Sequence, residues 1–335
     1  MKVLITGASG FIGGFLVEEA LGRGYETWAG VRAGSNLSRL KDPAIRFIDL
    51  KYNDPEGLAR QLEGFAAQEG GWDYVIHNAG VTKTVHPGDF SRINAGYTGR
   101  LIEALVSSGC QPKKFVLMSS LGAYGPGDEK LTPLHTGAPQ RPGSLYGKSK
   151  LEAENLLRSQ SHFPYIILYP TGVYGPGDKD YFAEIKSIHS GFDFTAGLRT
   201  QHISFIYVKD LARAAFLALE SEAAINKRYF VSDGFNYTDT EFASLIREIL
   251  GKKHLLRIRI PIGLVRIACL CSEWVGKLQG QAMTLNSDKY HILKGRNWLC
   301  DSLPIREDLS FTPAYPLKKG LEEAIAWYKA EGWLS

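Results

Sequence analysis

The sequence predicts an α/β fold: a doubly wound parallel sheet with a smaller α/β portion interleaved into it. Three observations carry this. Short β-rich runs alternate with longer helical patterns, and a glycine turn joins the first run to the first helix. The chain's 335 residues, 44% hydrophobic and 22% charged, are also enough for roughly two domains with cores of their own.

The first run, Val3-Leu4-Ile5, meets the glycines and then apolar positions at helical spacing, Phe15, Leu16 and Ala20. Further β-like runs follow at 26–31, 45–48, 74–76, 115–118 and 165–168. Between them, Leu101, Ile102, Leu105 and Val106 mark one helix, and Leu145–Arg158 reads as another. This alternation places helices on both faces of a parallel sheet. After about residue 170 the rhythm breaks, and aromatics crowd among Gly and Pro at Tyr174, Tyr181, Phe182, Phe192 and Phe194. A strand-like 203–208, a helical 210–220 and a β-like 228–231 then return to the first pattern, so the boundary is interleaved.

The net charge of +4 comes from 39 basic and 35 acidic residues mixed along the chain, which argues against nucleic acid as a partner. Cys110, Cys269, Cys271 and Cys300 show no CxxC spacing and no paired His cluster. Neither a metal site nor a disulfide framework is expected, and a reducing cytoplasm fits. The N-terminus has no signal-peptide pattern, and the apolar stretch 261–271 is interrupted by Arg266 and too short for a span of ~20 residues. A soluble protein is expected.

Two motifs carry chemistry. Thr6-Gly7-Ala8-Ser9-Gly10-Phe11-Ile12-Gly13 is a GxxGxxG at a strand-to-helix turn. There glycines permit a tight turn and close backbone approach to phosphate, while the helix N-terminus offers free N–H groups. It lacks the Lys-Ser/Thr of a P-loop, which favours a dinucleotide. Tyr146-Gly147-Lys148-Ser149-Lys150 sets Tyr and Lys at i and i+4 on one helix face, where an ammonium would lower the phenol pKa from ~10 toward neutrality. An echo, Tyr124-Gly125-Pro126-Gly127-Asp128 and Tyr174-Gly175-Pro176-Gly177-Asp178, suggests two ligand loops at strand carboxyl ends, or simply two similar turns.

Together these motifs resemble the extended short-chain dehydrogenase/reductases, the NAD(P)-dependent epimerase/dehydratase superfamily with its Rossmann-type fold. The resemblance spans nearly the whole chain through TGASGFIGG at 6–14, Asp49-Leu50, His77-Asn78-Ala79-Gly80, Asn94 to Thr98, Met118-Ser119-Ser120, YGKSK, PTGVYGPGD and FIYVKDLARA. It implies an NAD(P)-binding domain from 1–172 and 203–235, and a substrate-binding domain from 173–202 and 236–335. It also implies Tyr146 as acid/base, Lys150 holding the nicotinamide ribose and tuning Tyr146, Ser120 on the reacting carbonyl in preference to Ser119, and Asn94 in a structural and proton-relay position. Around the cofactor it implies Gly7, Gly10, Phe11, Ile12 and Gly13 at the pyrophosphate and Asp49 and Leu50 at the adenine. Ala79, Gly80 and Val81 are expected on the ribose side, with Pro170 and Val173 near the nicotinamide.

The second strand ends in Ala29-Gly30-Val31-Arg32 with no acid, as in reductases of this superfamily whose Arg pairs a 2′-phosphate. NADP(H) is therefore favoured, with NAD(H) as the other candidate. Nucleotide-sugar enzymes of the superfamily carry an Arg where Ile203 stands, although Arg199 could reach around. The aromatic and apolar residues Phe182, Phe192, Phe194, Ile262, Leu264, Val265, Ile267, Leu270 and Trp274 suggest a hydrophobic pocket or a second core. The chain's end is similar to dihydroflavonol-reductase-like, 3β-hydroxysteroid-dehydrogenase-like and keto-lipid reductases. The resemblance thus implies a ketone reductase for a lipid- or sterol-like small molecule. The alternatives are a nucleotide-sugar 4-epimerase with tightly bound NAD, or a dinucleotide-sensing regulator without catalysis. The dehydratase variant is set back by Leu121-Gly122, where dehydratases carry Asp-Glu. A homodimer is expected through Leu101, Leu105, Leu151 and Leu156, and the basic-apolar segment 252–275 is a candidate for contact with an anionic membrane surface.

Overall fold

Val3, Leu4 and Ile5 are fully buried in β1 (Lys2–Thr6), with Val3 and Ile5 in one core and Leu4 in another. The period-two alternation of a strand makes β1 the partition between two helical layers. The computed structural model describes residues 1–160 and 163–334. After β1 come α1 (Phe11–Gly22), β2 (Glu26–Gly30), β3 (Arg46–Ile48), α2 (Pro55–Glu69), β4 (Tyr74–His77), α3 (Tyr97–Ser107), β5 (Lys114–Met118), α4 (Leu145–Arg158) and β6 (Tyr165–Pro170). The chain then leaves the sheet through β7 (Gly172–Tyr174), α5 (Asp180–His189), β8 (Phe192–Ala196), β9 (His202–Ile203) and β10 (Phe205–Tyr207). It returns by α6 (Val208–Glu220) to β11 (Lys227–Val231). Last are β12 (Tyr237–Thr238), α7 (Asp239–Ile249), β13 (Leu256–Ile260), α8 (Ile262–Gln279), α9 (Ser287–Leu293), β14 (Asn297–Trp298), α10 (Leu303–Leu309) and α11 (Leu317–Ala330).

The main sheet has the order β11-β6-β5-β4-β1-β2-β3 and is parallel throughout. One face carries α1, α6 and α10 over a core that includes Leu16, Leu211, Phe216 and Ile305; the other carries α2, α3 and α4 over Leu62, Leu105 and Leu157. Strand order reverses between β1 and β4, which opens a crevice at their carboxyl ends. A third core, with Ile185, Phe242, Leu321 and Tyr328, sits under α5, α7 and α11.

Local chemistry explains the helix starts. The Asp54 side chain accepts from Gly57 N and Pro55 opens α2; Ser144 accepts from Gly147 N at 3.0 Å to start α4; Thr238 and Glu241 form a capping box on α7. Two expectations need correction. The strand-like 203–208 is broken at Ser204, because β9 pairs with β12 and β14 while β10 pairs with β7. Leu101 and Leu105, proposed for a dimer seam, are fully buried in this chain's own core, and only Leu156 of the four is exposed. Among the described residues no helix is long and apolar enough to cross a membrane, and the four cysteines are free.

Candidate active site

Gly7 adopts φ +65° and packs so closely on the next loop that a Cβ there would stand 2.8 Å from Ala79 Cα. The turn after β1 is thereby pinned against the loop after β4. Thr6 Oγ1 fixes that loop, accepting from Asn78 N (3.2 Å) and Ala79 N (3.1 Å) and lying 2.9 Å from His77 Nδ1. Because Thr6 Oγ1 accepts both amides, its own proton points to His77 Nδ1, which leaves a neutral imidazole. Burial holds His77 down at about 3, and the nearby Lys150 charge adds to the depression. Gly10 begins α1 without a side-chain cap, so the first-turn N–H groups remain available to an anion.

From this turn a cleft of about 2000 Å³ extends to Ile292 and Trp298. A pocket for one small ligand typically measures about 300–1000 Å³, so this cleft has room for a dinucleotide and a second molecule together. At its nucleotide end Arg39 lies over the rings of Phe15 and Trp327, 5.5 and 5.7 Å from their centroids, and donates to Pro176 O at 2.9 Å. No motif pointed to Arg39. The glycine cradle, the uncapped helix and the length of the cleft fit a dinucleotide.

Ser120, Tyr146 and Lys150 line the middle of this cleft. Ser120 caps the short turn Leu121–Ala123, accepting from Gly122 N at 3.0 Å, and its hydroxyl is next to the Tyr146 phenol. Ser119 points the other way and donates to the buried Glu154 carboxylate. Lys150 is buried and donates to Met118 O at 2.9 Å. Burial lowers its ammonium to about 8, and Glu154, one turn further along α4, partly restores it. The expected lowering of Tyr146 by Lys150 is corrected here. Burial raises the phenol above its usual range, Ser120 pulls it back in part, and the Asp288 charge adds to the rise. Asp288, on α9, reaches across the cleft to accept from the backbone N–H groups of Leu145 and Tyr146, the latter at 3.3 Å. Glu154 also accepts from Tyr169 Oη (2.8 Å) and Gln140 Nε2 (2.8 Å), completing a buried network beneath Lys150. The helical spacing of Lys150 and Glu154 was the available signal for this pair. Asp288 had none.

Gly7, Gly10, Phe11, Ile12, Arg32, Leu50, Ala79, Gly80, Val81, Pro170 and Val173 line the same cleft, whereas Gly13, Asp49 and Asn94 do not. A Cβ on Gly13 would collide with the Gly7 carbonyl and come within 2.7 Å of Ala8 Cα, so this glycine seats α1 on its turn. The exposed Asp49 accepts from Ala33 N at 3.4 Å. Asn94 lies in the π-helical turn Phe90–Gly96, and its amide is used by Val81 N (2.8 Å), Val81 O (3.0 Å) and Ser149 Oγ (2.9 Å). It ties the 79–81 loop to α4.

The substrate end also differs from expectation. None of the nine aromatic and apolar residues proposed there lines the cleft. Phe182 packs on Tyr328 and Trp333, Val265 is buried, and Phe192, Phe194, Leu264, Ile267, Leu270 and Trp274 face outward. Gln201, Ile203, Ser204, Asn286, Lys289 and Ile292 form that wall instead. Glu184 joins them, its carboxyl pushed up to about 8 by burial and by the charges of Asp193 and Asp239. Of the two Tyr-Gly-Pro-Gly-Asp loops, the second contributes Pro176, Gly177 and Asp178 to the cleft, and the first packs on β14 through Gly127 N to Asn297 O at 2.8 Å. Arg199 turns away from the cleft toward Glu129. Among the described residues, no group of three or more His, Cys, Asp or Glu side chains is placed to hold a metal ion.

The sequence model of the NAD dependent epimerase/dehydratase family matches residues 3–232. The ceramide reductase of Caulobacter vibrioides is 25% identical over 335 residues, covering 99% of this chain and 96% of its own length. The UDP-glucose 4-epimerase of Vibrio cholerae is 26% identical over 334 residues, covering 96% of this chain and 94% of its own. A solved UDP-glucose 4-epimerase of Thermotoga maritima, with UDP-glucose, superposes with a TM-score of 0.77 at 22% identity, covering 99% of each chain, a likeness of fold.

Proposed function

The chain belongs to the NAD dependent epimerase/dehydratase family and is an NAD(P)-dependent enzyme of the extended short-chain dehydrogenase/reductase type; on that premise we propose that it uses NADP(H) to reduce a ketone, or oxidise the alcohol, of a hydrophobic, lipid- or sterol-like molecule. The observation that carries the substrate class is Ile203 in the cleft wall, where nucleotide-sugar enzymes of this superfamily place Arg, while Arg199 pairs with Glu129 outside. The name of the ceramide reductase relative supports the same class. For the cofactor, Arg32 lines the cleft at the end of β2, where no acid stands, and is free to meet a 2′-phosphate.

Bound nicotinamide would supply the hydride. In reduction, the Tyr146 hydroxyl donates its proton to the carbonyl oxygen and the Ser120 hydroxyl holds that oxygen. The raised phenol pKa keeps Tyr146 protonated at neutral pH, as a proton donor requires. Lys150, beside the 79–81 loop, would hold the ribose of the cofactor, and the Asn94 amide fixes that loop. Gly7, Gly10, Phe11 and Ile12 would hold the pyrophosphate, and Leu50 the adenine. The retained Ser120, Tyr146 and Lys150 set aside the regulator reading.

A nucleotide-sugar 4-epimerase with retained NAD is the second reading, favoured by the polar Gln201 and Lys289 in the same wall and by the Vibrio cholerae relative. Following NADPH and NADH oxidation with keto-lipids, ketosteroids and UDP-sugars tests both. NADPH consumption with a keto-lipid or ketosteroid is expected. UDP-sugar interconversion by protein purified with its cofactor attached would replace the reductase reading, and clear preference for NADH would reject the role of Arg32. A homodimer through α3 and α4, where Val106, Leu145 and Leu156 are exposed, and a cytoplasmic location complete the proposal.

A further inference from the structure

We propose that the outward face of α8 docks on an anionic lipid surface, with the helix lying flat on it. Only three of the 18 residues of α8 are buried, Val265, Cys269 and Gly276. At 100° per residue these three share one narrow strip. The opposite side carries Leu264, Ile267, Trp274 and Leu278, which are 56%, 57%, 63% and 69% exposed, with Leu270 and Val275 beside them. A helix that is apolar on both sides has one face that its own fold does not cover.

Charge identifies the cover. Between residues 252 and 286 stand Lys252, Lys253, Arg257, Arg259, Arg266 and Lys277 against a single acid, Glu273. Glu273 is already engaged by Ser287 and Lys277, while Arg257 is paired with Asp193. Arg266 and Lys277 fall together along one margin of the apolar strip, and both are exposed; with Lys277 held by Glu273, Arg266 is the cation on that margin without a carboxylate partner among the described residues. Antiparallel face-to-face docking of a second copy would set the two basic margins side by side. A bilayer carrying anionic headgroups takes up the apolar strip and neutralises that margin. Trp274, in the outward strip, is the residue type that favours the headgroup boundary. Through Pro261, α8 continues from β13, whose Leu256 pairs opposite Phe192; Phe192, Phe194 and Leu256 are all exposed, and the two phenyl rings stack. Beyond α8 the chain runs through Thr284 and Asn286, which line the cleft, so only a short link joins the docking helix to the wall of the site. The inference stands on the helix face and holds whichever substrate the cleft takes.

The test is co-sedimentation of the full chain with vesicles of phosphatidylcholine alone and of phosphatidylcholine mixed with phosphatidylglycerol, at low and high salt. Sedimentation with the mixed vesicles, weakened by salt and accompanied by a blue shift of tryptophan fluorescence that is lost in Trp274→Phe, is expected. Ile267→Ser combined with Leu278→Ser abolishes it and Arg266→Glu reduces it, with melting temperatures unchanged because these side chains pack on little in the fold. Equal sedimentation with both vesicle types, or binding that survives these variants, overturns the proposal. So does a dimer in sedimentation velocity that the same variants dissociate.

Discussion

Tyr146 is bracketed by Ser120 on one side and by the charge of Asp288 on the other, and each has a measurable effect on its proton. Tyr146→Phe is expected to abolish turnover while NADPH binding, followed by cofactor fluorescence, weakens by no more than about tenfold, since a lost neutral hydrogen bond is worth only ~0.5–1.5 kcal/mol; undiminished turnover would reject its assigned role. Asp288→Asn keeps an acceptor for the Tyr146 amide but removes a negative charge that raises the phenol pKa. Reduction needs the protonated phenol, so the alkaline limb of its kcat/KM profile should move to lower pH, and a limb that stays or moves up contradicts the coupling. The YxxxK spacing made Tyr146 and Lys150 legible because both lie on one helix. Asp288 was illegible because its partner is 142 residues distant in sequence, and no local spacing connects them. Their electrostatics were illegible for a similar reason: spacing gives proximity along a helix, whereas burial by the rest of the fold sets the direction of the shift.

Among the elements, α1 shows how a glycine motif divides its labour. Gly7 and Gly10 face the cleft, and Gly13 lets the helix sit on the turn. Gly13→Val should push α1 off that turn, destabilise the fold by about 1–3 kcal/mol in urea unfolding and weaken NADPH binding together; a variant of native stability and affinity would show that the packing is not required. Helix α4 was legible to the residue, since Ser144 caps it and Leu145–Arg158 keeps helical spacing without Gly or Pro after its first turn. Helix α8 was legible as a helix but not in orientation. Apolar residues on both of its sides give periodicity no preferred face, so side chains nominated for a pocket turned out to face outward.

For the molecule as a whole, His77 links stability to pH. Its folded-state pKa is depressed to about 3 from 6.5, so an unfolded chain binds a proton through this window that the folded chain refuses. Stability is therefore retained above pH 6.5 and falls as pH drops from 6.5 toward 3, by up to about 1.4 kcal/mol per pH unit. Thermal melting across that range should show the decline, and His77→Asn should flatten it; an unchanged slope in the variant would remove His77 as the cause. The parallel sheet and its helical layers were legible from alternation alone, and the return of 228–231 to the sheet from its β-like run. The wall at the substrate end was not, because it is assembled from β9, α9 and β14, elements too short to announce themselves by period. The late arrival of β11 also has a consequence for synthesis. Until the excursion 171–226 has left the ribosome, β6 is the open edge of the nascent sheet, with Ile166, Ile167 and Leu168 awaiting cover. A chain halted before β11 presents that edge to its neighbours, so the dangerous interval for aggregation lies midway through translation, before the last strand of the sheet has been made.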